Sequence, residues 1–372
     1  MAPETEQNVE SAELILGCAD LDATIRFFTE RLGFRLALIF PADDPSVAVV
    51  RGHGLRLRLE RRGGEDLSGN ENIRLRLNCL MPEKIGGGER ELIAPNGVRI
   101  ELAGVEPVLP ELRPSFVISR FSGASDWGTG RAGMRYRDLI PDRQGGRFIA
   151  SHIHIPEAGP VPDYVHFHKI RFQMIYCYRG WARLVYEDQG EPFEFAAGDC
   201  VLQPPQIRHR VLESSADLEV IEIASPAEHE TFAEHEMDLP TGDLRPERDF
   251  GGQRFVRHIA ASADVWRDWR LAGFECLETG IGSATGGLAG VRTVRPAGDS
   301  GPVFCRHEAE FVFFFILRGR VSLWREGGKA DGLGPGDALV IPSGLEYAFA
   351  ECSEKLEMLE VALPAQIKTE FL

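Results

Sequence analysis

From Met134 onward the chain is a run of short strand patterns with no long amphipathic helix between them, and the run occurs twice. GRFIASHIHI, HFHKIRFQMIYCYRG, ARLVYED, PFEFAAGDCVLQPP, HRVLES and LEVIEIAS follow one another at close, regular intervals, separated by turn residues. Such spacing argues for an antiparallel barrel or sandwich. Further along, TVRPAGDSGPVFCRHEAEFVFFFILRGRVSLW, LGPGDALVIPSGLEYAFAE and LEMLEVALP repeat the plan. Arg179-Gly180 aligns with Arg318-Gly319, and GDCVLQPP with GDALVIPS. The duplication predicts two barrels of one design, over residues 134–240 and 241–372.

Within the first repeat, HFHKIRFQ places His166, His168 and Gln173 inside eight residues, and His209 follows the GDCVLQPP turn. Strand side chains alternate faces, so His166 and His168 share a face. A third imidazole from a later strand would close a metal site of the kind that suits iron, nickel, copper or zinc. The bland alternative, a pair of core histidines on a barrel strand, loses ground once His209 is added. If His166, His168 and Gln173 point inward, parity carries Ile175 and Cys177 inward too, and Gln203 lies beside the site. His152 and His154 could face the same interior or be satisfied elsewhere. Arg171 and Arg208 flank the ligands, and each reads equally as a partner for a substrate carboxylate or as a solvated arginine.

The first segment, 11–104, differs in character. AELILGCADLDATIRFFTERLGFRLALIF reads as strand, helix, strand, with Asp22 as helix cap and Ile25, Phe27, Phe28 and Leu32 as an apolar stripe closed by Gly33. VAVVRGHGLRLRLE and NIRLRLNCL alternate as half-buried strands do, and Asn96-Gly97 supplies a hairpin turn. Between NIRLRLNCL and that hairpin the sequence predicts no helix. His53, between two glycines, reads as a turn residue. The Pro-, Gly- and Ser-rich stretch 105–133 reads as a linker holding one short strand in SFVIS.

Two resemblances cover nearly the whole chain. ADLDATIRFFTERLGF with PNGVRIEL resembles the glyoxalase/bleomycin-resistance, or vicinal oxygen chelate, superfamily; this implies a small α+β βαβββ domain in which Glu13 and Glu101 occupy possible metal positions. Both also read as ordinary strand carboxylates. Gly159, His166, His168, Gln173 and Gly180, then Gly198, Pro204 and His209, resemble the two motifs of the cupin superfamily. The implied fold class is mainly β: two cupin jelly-roll barrels behind the α+β domain. Two departures stand out, since Gln173 occupies the place of the usual glutamate and Gln206 that of a glycine. In the second repeat Cys305, Val312 and Tyr347 replace the ligands and only His307 survives, with Glu310 nearby. That barrel is therefore expected to bind no metal and to pack against its twin or close its mouth.

The two-barrel arrangement with metal in the first barrel is similar to the cupin dioxygenases of the gentisate and salicylate kind. It implies an Fe(II) dioxygenase acting on a small aromatic or enolisable acid, with nickel, manganese, copper or zinc as alternative ions. His166, His168 and His209 would hold the metal, Gln173 would bind it or act beside it, and Gln203 and Arg208 would act on the substrate. Three neutral ligands leave the ion its full charge, which favours an anionic small-molecule substrate. A metal-dependent isomerase, lyase or decarboxylase, and a non-enzymatic small-molecule-binding protein, are the competing classes.

Charge narrows the partners. The 372 residues carry a formal net charge of -16, which argues against nucleic acid or anionic lipid. Arg56, Arg58, Arg61, Arg62, Arg74 and Arg76 cluster, but mostly at a spacing of two, as on the solvated face of a strand. MAPETEQNVESAE lacks the features of a signal peptide and no apolar run reaches spanning length, so a cytoplasmic protein is expected. Seven scattered cysteines without a CxxC pair read as reduced thiols. A homodimer paired through barrel edge strands is the default expectation.

Overall fold

The computed structural model describes residues 11–63, 69–79, 81–104, 108–123, 127–130, 133–298 and 301–372. It divides into two compact units, Met1–Glu106 and Pro107–Leu372. Among the described residues no helix is long and apolar enough to cross a membrane. All seven cysteines are free thiols, and only Cys352 among them is partly exposed.

In the first unit, strand Leu14–Cys18 leads into helix Leu21–Arg26 and a π-helical turn Phe27–Arg31, then strands Arg35–Phe40, Val47–Gly52 and Leu55–Arg61. The opening strand returns parallel to Leu55–Arg61, so the expected βαβββ succession is present. The helix cap is Asp20, whose side chain accepts the Ala23 N–H at 2.9 Å, and not Asp22, which lies in the first turn. Leu21 takes the first buried helical position, so the chain must already be capped one residue before it. A second correction concerns MPEKIGGGERE: Pro82–Gly86 forms a short helix, begun by proline at its first turn and ended by Gly87 at φ 66°. Five residues are too few to show an apolar period. His53 sits in its turn at φ 52°, its Nε2 2.8 Å from the Leu32 carbonyl.

The second unit is two barrels. In the first, strands Cys200–Leu202, Phe172–Arg179, Leu218–Ser225, Ile149–Ile155 and Arg135–Asp138 form the body of a seven-stranded sheet. Facing it are Phe193–Ala196, Trp181–Tyr186, His209–Ser214, His166–His168 and Thr231–Ala233. In the second barrel, Phe274–Glu278, Gly290–Pro296, Glu357–Leu363, Phe311–Arg318 and Ala338–Val340 oppose Lys329–Leu333, Val321–Arg325, Tyr347–Ala350, Cys305–His307 and Thr369–Phe371. Each barrel lends the other an edge strand. Val117–Ser119, within the stretch read as linker, pairs with Ala338–Val340, while Val256–His258 pairs with Cys200–Leu202.

Both faces of the two large sheets are buried. Phe172, Met174 and Tyr176 pack with Phe311, Phe313 and Phe315 in one core shared between the barrels, where Phe148 stacks on Phe311 at 4.1 Å. The alternate residues, Ile175 and Cys177 in one barrel and Val312, Phe314 and Ile316 in the other, face the two interiors. The duplicated Arg-Gly turn has a steric cause. Gly180 and Gly319 have φ of 75° and 78°, and a Cβ would meet Ser215 Oγ at 2.4 Å in one and Leu356 Cα at 2.6 Å in the other. Gln206, in the place of the expected glycine, adopts φ 65° regardless, at a cost of order 1 kcal/mol.

One carboxylate ties the barrels together. Glu310 receives Arg171 through both oxygens, at 2.9 and 3.0 Å, and Arg147 at 2.8 Å. Burial opposes ionisation of this carboxyl, but the Arg171 and Arg147 hydrogen bonds outweigh it and hold the group below the usual carboxylate range. A depressed folded value means stability that is fully present above the ordinary carboxylate pKa and is lost as pH falls through the folded one. Replacing Glu310 with alanine should therefore cost about 2–3 kcal/mol, below the range for fully buried pairs. In melting curves taken between about pH 3 and 7, the difference from wild type should shrink towards the acid end.

Candidate metal centre

The histidines converge because of register. His166 and His168 project from one face of their strand, and His166 pairs directly with His209 on the neighbouring one. Ring centroids lie 4.3 Å apart for His166 and His209, 5.3 Å for His166 and His168, and 5.5 Å for His168 and His209. Their metal-binding atoms all fall within 4.8 Å of one another, and all three residues are buried.

Each ring is oriented by a backbone carbonyl. His166 Nδ1 lies 2.8 Å from Tyr164 O, His168 Nδ1 3.2 Å from Glu230 O, and His209 Nδ1 3.0 Å from Ile207 O. A carbonyl only accepts, so each Nδ1 carries a proton and Nε2 is the nitrogen left to bind a metal. Asp163 supports this arrangement. It accepts the Val211 N–H at 3.0 Å and lies 3.6 Å from His166 Nδ1.

The three rings open into a cavity of about 120 Å³, lined also by Gln173, Gln203, Glu222 and Arg210. Ile153, Ile155, Leu184, Phe195 and Val220 make most of the wall apolar. Two amides in it are half satisfied. Gln173 Nε2 donates to Glu222 Oε1, and Gln203 Nε2 lies 3.1 Å from the Tyr186 hydroxyl, while both carbonyl oxygens are buried without a hydrogen-bond partner. An unsatisfied buried acceptor costs about 1–3 kcal/mol, so both oxygens fit a bound cation or a donor on a ligand. Tyr186 is itself buried, which pushes its phenol well above the usual range and keeps it neutral.

Gln173, Ile175 and Gln203 line the cavity, and Cys177 lies deeper in the same interior. Four other candidates lie elsewhere. His152 and His154 face away, because Ile153 and Ile155 take the inward positions of that strand. His152 bonds Glu219 at 2.7 Å and packs on Phe315 of the twin barrel, and His154 bonds Asp217 at 3.0 Å. Arg171 is held by Glu310. Arg208 is not among the lining residues; it stacks 4.3 Å over Phe167 and reaches Glu234 at 3.4 Å and Glu187 at 3.9 Å.

Two charged lining residues were not singled out from sequence. Glu222 was legible by parity, since Leu218, Val220 and Glu222 alternate along one strand. Arg210 was not. Its Nε is buried without a hydrogen-bond partner, and among the described residues no carboxylate pairs with it.

The second barrel and the first unit offer no comparable cluster among the described residues. His307 uses both nitrogens, accepting the Ala309 N–H at 3.1 Å and donating to Ile341 O at 3.0 Å. Burial, aided by the neighbouring Arg270, lowers its pKa to about 4, so the ring is neutral. Trp269, Phe314, Tyr347 and Phe349 fill that interior. Glu13, just before the first strand, is bound by Arg56 at 2.8 Å, and Glu101 lies 3.8 Å from Arg76, so both are partly exposed carboxylates beside arginines.

Known proteins agree with the geometry. The Cupin domain family matches residues 290–362, inside the second barrel. A salicylate 1,2-dioxygenase from Pseudaminobacter salicylatoxidans superposes with a TM-score of 0.53 at 13% identity, over 71% of this chain and 90% of that one. The fold is that of a two-barrel cupin. The same dioxygenase with gentisate gives a TM-score of 0.51 at 13% identity, over 71% and 87% of the two chains. No curated protein sequence matches significantly. At this identity the likeness speaks for the cupin fold, and the case for a metal rests on the three histidines.

A three-ligand site cannot spare a ring. His168→Ala should reduce bound transition metal from about one ion per chain to near zero, as read by elemental analysis of chains purified in parallel.

Proposed function

We propose that the chain is a metal-dependent cupin enzyme, and specifically an Fe(II) dioxygenase that cleaves a small aromatic or enolisable carboxylic acid in the first barrel. The observation that carries this reading is the set of three converging imidazoles, each with its Nδ1 held by a backbone carbonyl, at the edge of a largely apolar cavity. His166, His168 and His209 would hold the ion. Bound iron would supply the redox chemistry that joins dioxygen to a chelated organic acid.

The protein's own groups supply recognition. Arg210, a partly exposed residue of the cavity lining with no carboxylate partner among the described residues, is the cation we assign to the substrate carboxylate, a role the sequence offered equally to Arg171 and Arg208. Gln203 offers its carbonyl to a substrate hydroxyl or amine. The isoleucine, leucine and valine walls exclude water and bury the apolar body of the acid. The salicylate 1,2-dioxygenase that the fold resembles takes its name from salicylate and has also been solved with gentisate, and both are hydroxybenzoic acids of this class. We assign the first unit as a glyoxalase-like module on its βαβββ order, without a metal role for Glu13 or Glu101.

Chains loaded anaerobically with Fe(II) should consume oxygen when given hydroxybenzoates or β-diketo acids. Silence across such a panel would defeat the dioxygenase assignment, and turnover of the same compounds under nitrogen would assign a lyase or isomerase instead. Arg210→Gln should raise KM for the active acid by about ten- to a hundredfold, the weight of a charge-assisted pair, and leave metal content unchanged. An unaltered KM would remove Arg210 from substrate binding.

A further inference from the structure

The carboxylate missing from the metal motif is present in the cavity on the neighbouring strand. Gln173 stands at the motif position on strand Phe172–Arg179, and Glu222 comes from Leu218–Ser225, paired directly beside it. In that register Glu222 lies opposite Ile175 and therefore diagonal to Gln173 on the same inward face. Gln173 is 2% exposed and lines the cavity together with the three histidines.

The contact between the two residues determines which way the amide points. Gln173 donates its NH2 to Glu222 Oε1, which leaves its carbonyl oxygen as the end turned away from that carboxylate. That oxygen is buried with no hydrogen-bond partner. A glutamine without such an anchor would be free to present either end.

We propose that Glu222 is a positioning residue that holds Gln173 with its carbonyl oxygen presented as a fourth, neutral donor to the ion bound by His166, His168 and His209. The negative charge is kept one hydrogen bond away from the metal. The ion thereby gains an oxygen ligand without losing any of its double positive charge to a directly bound carboxylate. The proposal rests on the metal reading above, and is independent of whether the reaction uses dioxygen.

Cobalt(II) added to metal-free full-length chain provides the test, through its dissociation constant and its visible absorption bands, which report the ligand set. Glu222→Ala is expected to weaken cobalt binding about tenfold, as loss of an outer-shell partner does, and to shift the bands. Glu222→Gln should restore both, because its own carbonyl can still accept from Gln173. Gln173→Leu should reproduce the alanine variant, and adding Glu222→Ala to it should change nothing further. Should Glu222→Ala fold poorly by its melting curve, Gln173→Leu against wild type carries the test with Glu222 in place.

Bands and affinity that do not move in Gln173→Leu would overturn the proposal. So would a Glu222→Ala effect that persists undiminished in the Gln173→Leu background, since Glu222 would then act by another route. Failure of the wild-type chain to take up cobalt would defeat the metal reading itself, whereas normal uptake with none of the expected changes would defeat only this inference.

Discussion

The double burial of the large sheet in the first barrel governs the rest of the structure. Strand Phe172–Arg179 has its even-numbered side chains committed to the core shared with the second barrel, so the odd-numbered ones have nowhere to go but the interior. A slip of one residue would put Gln173 into the phenylalanine layer and Phe172 beside the histidines. The cost of burying an amide there, together with the loss of aromatic packing, makes the register unambiguous. The polar composition of the cavity is thus set by contacts on the opposite side of the sheet.

The duplicated barrels have diverged along the same logic. Val312 stands where Gln173 does, and Phe314 and Ile316 continue a wholly apolar inward face. With Tyr347 and Cys305 in place of two imidazoles, that interior packs shut and the remaining His307 is locked between a donor and an acceptor. The second barrel contributes instead through its outer surface. It supplies the phenylalanine layer, the edge pairing with Cys200–Leu202 through Val256–His258, and Glu310, which occupies the arginine that sequence left available for a ligand.

Within the first barrel the electrostatics are those of a receptive site. Three imidazoles have their Nδ1 atoms taken by main-chain carbonyls, two buried amide oxygens lack partners, and the buried Arg210 Nε has no hydrogen-bond partner. Each unpartnered group is unfavourable in a low-dielectric interior, and each would be relieved by a cation with an anionic, donor-bearing ligand. Elsewhere in the two barrels, comparable charges are paired: Glu360 with Arg270 and Arg292, Glu219 with His152 and Arg179.

Sequence by itself determined most of the elements and the candidate ligands. Strand alternation, turn glycines and the repeated Gly-Asp stretch were enough for two barrels, and the spacing of His166, His168 and His209 was enough for a metal candidate, because these are local properties with a period of two. Gln173, Gln203 and Ile175 followed from the same parity. What it left undecided were properties that depend on a neighbour distant in sequence. Whether Arg171, Arg208 or Arg210 is unpaired depends on where Glu310, Glu234 and Glu187 come to lie, and His152 is turned outward by the apolar demand of Ile153 and Ile155. The pairing of Gln173 with Glu222 spans two strands separated by 49 positions, and only the folded sheet brings a carboxylate close enough to orient that amide.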